Sequence, residues 1–90
     1  MGILSGKRGL IMGVANERSA AWGIAAAAAE HGAELAFTYQ TDGLRKRLEP
    51  LSASLAASIL IKCDVSEEGT IASCFTDLRQ HWDSIDFVVH

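Results

Sequence analysis

Apolar residues along this chain fall into two patterns that alternate. Short continuous runs occur at residues 10–12 (LIM), 33–39 (AELAFTY), 58–65 (SILIKCDV) and 86–90 (DFVVH). Runs of this length suit strands buried on both faces. Between them lie helical stretches. The first starts at Ser19 and runs through WGIAAAAAEH, with His31 in its last turn and Gly32 as its C-terminal cap. The second spans residues 44–57, where Pro50 is expected to kink or restart it. The third takes Ser66 as N-cap, with Glu67 and Glu68 in a first turn that favours acids. Its apolar stripe is Ile71, Cys74, Phe75, Leu78 and Trp82.

The order is therefore βαβαβαβ. Apolar strands alternating with helices predict an α/β protein with a parallel sheet covered on both faces. Right-handed crossovers make it one half of a doubly wound, Rossmann-type sheet with strand order 3-2-1-4. Ninety residues hold one domain at most. The chain ends in a strand that lacks a following helix and neighbour. Residues 1–90 are thus expected to be the N-terminal part of a single dinucleotide-binding domain, truncated after the fourth strand.

Composition narrows the partners. Half of the residues are hydrophobic and the net charge is only −3, so neither nucleic acid nor a membrane surface is an expected partner. The basic triplet Arg45-Lys46-Arg47 reads as a solvated helix face. Cys63 and Cys74 match neither a metal spacing nor a redox pair, and read as buried free thiols of a cytoplasmic protein. No metal site is expected. The opening MGILSG lacks the charged-then-apolar order of a signal peptide, and no apolar stretch is long enough to span a bilayer. His31 and His81 read as solvated helix-end residues, and Trp22 and Trp82 as packing residues.

The candidate chemistry lies at GVANERSAAWG, residues 13–23, directly after the first strand. A phosphate loop needs a tight turn, close approach of the backbone to the anion, and a helix N-terminus that offers free N–H groups. Gly13 supplies a turn, Ala15 is small, and Ser19 and Ala20 stand at the helix start. Gly23 would let the helix lie close to the sheet. These residues alone fit two descriptions: a lengthened phosphate loop, or an ordinary βα turn with Ser19 as a plain N-cap. Read on its own, Asp64 fits a turn or capping residue before Ser66.

The spacing G-x5-S after the first strand, YQ ending the second and CDV ending the third resembles the bacterial NADH-dependent enoyl-acyl-carrier-protein reductases. These are divergent short-chain dehydrogenases/reductases. The similar stretches are GILSGKRGLIMGVANERSAAWGIA, GAELAFTYQ and KCDVSEE. Where the wider superfamily has T-G-x-x-x-G-x-G, this chain has Met12, Glu17 and Ser19 in place of the threonine and the later glycines. The resemblance implies NADH as cofactor. It puts Gly13 and Ala15 along the adenosine-pyrophosphate, Ser19 and Ala20 at the pyrophosphate, Gln40 beside the adenosine ribose, and Asp64 and Val65 at the adenine. It implies hydride transfer to the trans-2 double bond of an enoyl-acyl-carrier-protein thioester in fatty-acid synthesis, by a cytoplasmic homotetramer.

No catalytic residue is assigned within these ninety. The superfamily's tyrosine and lysine lie beyond the fourth strand, and Tyr39, Lys46 and Lys62 form no Y-x-x-x-K arrangement. The segment alone is expected to be inactive. The alternatives are a short-chain reductase acting on a ketone or alcohol, and a nucleotide-binding module without chemistry.

Overall fold

The computed structural model describes residues 2–14, 18–57, 59–63 and 68–89. Among these, strands and helices alternate: β1 (Arg8–Ile11), α1 (Ala20–Glu30), β2 (Glu34–Tyr39), α2 (Asp42–Ser54), β3 (Ile59–Lys62), α3 (Glu68–Arg79) and β4 (Phe87–Val89). The strands pair in parallel in the order β3-β2-β1-β4, as expected. The strand ends expected at Ser58, at residues 64–65 and at His90 lie outside the described residues.

Strand alternation divides the core in two. Ile11, Leu35, Phe37 and Tyr39 face α1 and α2, and pack with Ala25, Ala28 and Leu48. Leu10, Met12, Ala36, Ile61 and Cys63 face α3, and pack with Cys74, Leu78 and Trp82. The register sets Ile11 beside Phe37, and Phe37 beside Leu60. Phe37 is fully buried. Cutting such a residue back to alanine typically costs about 3–5 kcal/mol.

Helix α1 meets the sheet through alanine methyls, with Ala25 and Ala28 buried. Gly23 is not the contact expected from the sequence. It is exposed, and a Cβ added there would meet nothing within 4 Å. The close approach falls instead to the two alanines, which lie on the opposite side of the helix. Past the helix end, Gly32 adopts φ +94°. Its N–H donates to the Ala29 carbonyl, and the Ala33 N–H to the Ala28 carbonyl, both at 3.0 Å. This left-handed cap is the one that Gly32 was expected to supply.

Helix α2 begins two residues earlier than expected. Thr41 is its N-cap, and its hydroxyl oxygen accepts from the Leu44 N–H at 3.2 Å. The helix also runs through Pro50 without restarting. Pro50 is exposed, so water can satisfy the carbonyl that its missing N–H leaves unbonded. The helix ends with the same backbone motif as α1, but Ala56 takes the left-handed position at φ +57°. There the Ala56 N–H donates to the Ala53 carbonyl and the Ala57 N–H to the Ser52 carbonyl.

Helix α3 presents Cys74 and Leu78 to the core, and Trp82, just beyond the helix end, joins them there. Its expected cap, Ser66 with Glu67, lies outside the described residues. Arg8 lies over the Trp82 ring, 5.8 Å from its centroid, and pairs with Glu34 at 3.3 Å. Both cysteines are free and buried, as expected. The structure also brings them together, which their spacing did not indicate. Burial first, and then the neighbouring Cys63 thiol, push Cys74 up to about 12.

Two outcomes follow from this packing. A left-handed alanine is strained by roughly 1 kcal/mol relative to glycine. Ala56→Gly should therefore stabilise the whole protein by about that amount, read as a higher urea midpoint with unchanged slope. For Cys74 the folded thiol titrates above its ordinary value of 9.0, at about 12. The neutral thiol's contribution is thus full below about pH 9 and fades from there toward pH 12, as the unfolded chain ionises first. Between these limits stability should fall less steeply with pH in Cys74→Val than in the parent, as measured by chemical denaturation at stepped pH.

Candidate cofactor site at the carboxyl edge of the sheet

In a parallel sheet all strand carboxyl ends open on one edge. Here the chain leaves β1 toward β2 on one side, while β4 lies on the other side of β1. This is the switch point beside which open α/β sheets bind ligands. The two strands stay paired to the edge, where the Met12 N–H donates to the Val89 carbonyl at 2.8 Å.

Gly13 comes next, exposed and at φ +84°. A Cβ there would meet nothing within 4 Å. The backbone conformation, not crowding, is what favours glycine at this turn. Val14 folds back into the core. Ala15, also assigned to the cofactor from the sequence, lies outside the described residues.

Ser19 is the N-cap of α1, with extended backbone angles of φ −64° and ψ 140°. Its carbonyl accepts the Trp22 N–H at 3.0 Å. Ala20, the first helical residue, is exposed. Helix geometry gives the N–H groups of Ala20 and Ala21 no carbonyl four residues back. No acidic side chain stands in this first turn, so the positive end of the helix dipole is not offset by the helix itself. Helix α2 differs: Thr41 caps it and Asp42 occupies its first turn.

Gln40 follows β2 directly and is exposed. Around it the sequence missed an ordered set of charges. The Arg45 guanidinium lies over the Tyr39 ring, 5.5 Å from the centroid, and its Nη1 donates to the Tyr39 hydroxyl at 3.3 Å. Its Nε donates to Glu49 at 3.1 Å. Tyr39 first, with Glu49 adding to it, raises the Arg45 pKa, while partial desolvation acts the other way. Lys62, beside Tyr39 in the sheet register, sits 3.8 Å from Asp42. The Arg45–Glu49 spacing is visible in the sequence as an i,i+4 pair. The reach back to Tyr39 depends on how α2 packs and has no local signal.

Strand β3 stays paired past its last residue, since the Cys63 N–H donates to the Tyr39 carbonyl at 2.8 Å. Asp64 and Val65, the assigned adenine residues, lie outside the described residues. Of the assigned positions, Gly13, Ser19, Ala20 and Gln40 are thus brought to one edge.

His31 and His81 are exposed, Trp82 is buried, and Trp22 packs against Phe37 with ring centroids 6.2 Å apart. A cavity of about 210 Å³ beside Leu78, Arg79 and Asp83 lies at the opposite edge of the sheet. Among the described residues no group of three or more His, Cys, Asp or Glu could hold a metal. No described helix is long and apolar enough to cross a membrane.

Comparison with known proteins points the same way. A family model described as enoyl-(acyl carrier protein) reductase matches residues 13–90. The chain is 56% identical over 89 residues to enoyl-[acyl-carrier-protein] reductase [NADH] 1 of Rhizobium meliloti (strain 1021), covering 99% of this chain and 33% of the relative. It superposes on the crystal structure of FabI from Candidatus Liberibacter asiaticus with a TM-score of 0.97 at 46% identity, covering 100% of this chain and 35% of that one. It also superposes on the enoyl-(acyl-carrier-protein) reductase of Anaplasma phagocytophilum in complex with NAD. There the TM-score is 0.95 at 45% identity, over 99% of this chain and 34% of that one. The chain spans about a third of the length of the relatives it matches.

Proposed function

Because the chain belongs to the enoyl-(acyl carrier protein) reductase family, we propose that the whole protein uses NADH to reduce the trans-2 double bond of enoyl-acyl-carrier-protein thioesters. In this proposal residues 1–90 form the N-terminal part of its dinucleotide-binding domain and supply the adenosine side of the cofactor site. The enzyme acts in fatty-acid synthesis, in the cytoplasm and as a homotetramer. The observation that carries the proposal is the left-handed turn at Gly13 leading to the acid-free N-terminus of α1, at the carboxyl edge of the sheet.

The chain's own groups fit NADH. NADH, when bound, supplies the hydride. Gly13 leaves open space where the backbone must approach the pyrophosphate. Ser19 and Ala20 present a helix start to the anion, where a phosphate is stabilised by N–H groups and by the helix dipole. Gln40 offers an amide to the ribose hydroxyls. Asp64 and Val65 are proposed to hold the adenine. Tyr39 is engaged with Arg45 on the adenosine side, so the tyrosine and lysine of the chemical step are assigned to the rest of the protein. The direct test is NADH oxidation by the full-length protein that depends on an added trans-2-enoyl thioester.

Two further outcomes are expected of the full-length enzyme. Ser19→Asp sets a carboxylate against the pyrophosphate at a helix end that now favours anions. NADH should bind about tenfold more weakly, or worse, by fluorescence titration; unchanged affinity would remove the loop from the site. NADH should also be preferred over NADPH by at least about tenfold in kcat/KM. Gln40 brings no positive charge to a 2′-phosphate, and Asp42 would repel it. Equal or reversed values for the two cofactors would contradict this.

A further inference from the structure

We propose that the Arg45–Glu49 pair is a specificity-determining latch: Glu49 and Tyr39 engage the Arg45 guanidinium, and so withhold a cation that could otherwise meet the 2′-phosphate of NADPH. The inference rests on the NADH-binding function proposed above.

An arginine beyond the second strand is the usual means by which such sheets accept a 2′-phosphate. This chain has one there. Arg45 lies in the second turn of α2, its N–H donating to the Thr41 carbonyl at 3.0 Å, and its side chain reaches back to the Tyr39 hydroxyl beside Gln40. But three contacts already engage it: the Tyr39 ring face, the Tyr39 hydroxyl and the Glu49 carboxylate. With its face on the ring, its Nε–H on Glu49 and one Nη1–H on the Tyr39 hydroxyl, the guanidinium is held in one orientation and keeps only its remaining Nη hydrogens for a phosphate. Lys62, also at this end of the sheet, is paired with Asp42. The four side chains Arg45, Glu49, Lys62 and Asp42 carry two positive and two negative charges. A 2′-phosphate approaching Gln40 therefore meets no net positive charge from them.

The latch is weak by design of its position. Both partners are about half exposed, with side-chain accessibilities of 49% for Arg45 and 54% for Glu49. An exposed pair of this kind is worth only about a factor of two. The larger effect is the carboxylate itself, which both occupies Arg45 and repels the incoming phosphate. Neutralising Glu49 removes both effects at once and leaves the four side chains with a charge of +1.

The test uses the full-length protein, with NADH and NADPH as cofactors and a trans-2-enoyl thioester as substrate. In Glu49→Gln the ratio of kcat/KM for NADPH to that for NADH should rise about three- to tenfold, through a lower KM for NADPH, and the rise should shrink as salt is added. The kcat with NADH should not change. In Glu49→Gln/Arg45→Ala the ratio should return to the parent value, because the cation is gone and the four positions again carry no net charge. Direct titration with NADPH should give the same order of affinities. An unchanged ratio in Glu49→Gln alongside normal NADH turnover overturns the latch and leaves the enzyme assignment standing. So does a rise that persists in the double variant. A parent protein without NADH-dependent turnover overturns the enzyme assignment, and the latch with it.

Discussion

Strand β2 is covered on both faces, and most of the molecule is arranged around meeting that demand. Leu35, Phe37 and Tyr39 require α1 and α2 on one side. Ala36 belongs to the cluster that α3 closes on the other. Within this strand the buried polar side chain is Thr38, and charged groups are confined to its ends. The amino end of β2 carries the exposed Glu34, paired with Arg8. The carboxyl end carries Tyr39 and then Gln40, and Cys63 bonds back to Tyr39 from the neighbouring strand. The candidate site exists at that edge because the interior is closed to it.

The two helices on the same face of the sheet start differently, and the difference suits different tasks. Helix α2 satisfies its own first turn with the Thr41 hydroxyl and Asp42. Helix α1 carries no acid there and is preceded by a left-handed glycine turn. A helix that neutralises its own start has little to offer an anion. One that does not can contribute its dipole and N–H groups that no intrahelical carbonyl claims.

Much of this was legible in the sequence because the signals are local. Continuous apolar runs marked the strands, the alanine run marked α1, and Gly32 marked its end. The strand order followed from connection rules. What was missed depends on contacts between distant segments. That Cys63 and Cys74 meet depends on how α3 packs beneath β3. Gly23 looked like a packing glycine, but the helix turned Ala25 and Ala28 inward instead. Pro50 looked like a break, yet it lies on the solvent side, where its cost is smallest. The basic triplet read as a plain solvated face, while Arg45 is tied to Tyr39 across the turn from strand to helix. Of the candidate site, the turn at Gly13 and the helix start at Ser19 were readable from residue type. The charge pairing around Gln40 was not.

The alanines of α1 have one more effect, in the dynamics of recognition. The buried contacts of the helix are the methyl groups of Ala25 and Ala28, with the Trp22 ring packed beside them on Phe37, and a methyl has no rotamers to choose among. The height and tilt of the helix are therefore set largely by atoms that cannot rearrange. Long, flexible side chains at this contact would let the helix start wander and would have to be ordered each time a ligand arrived. With alanine the ordering is complete once the chain has folded. In the proposed site, an anion at Ser19 and Ala20 would meet an end already seated on the sheet, and little of its binding energy would be lost to freezing the protein beneath it.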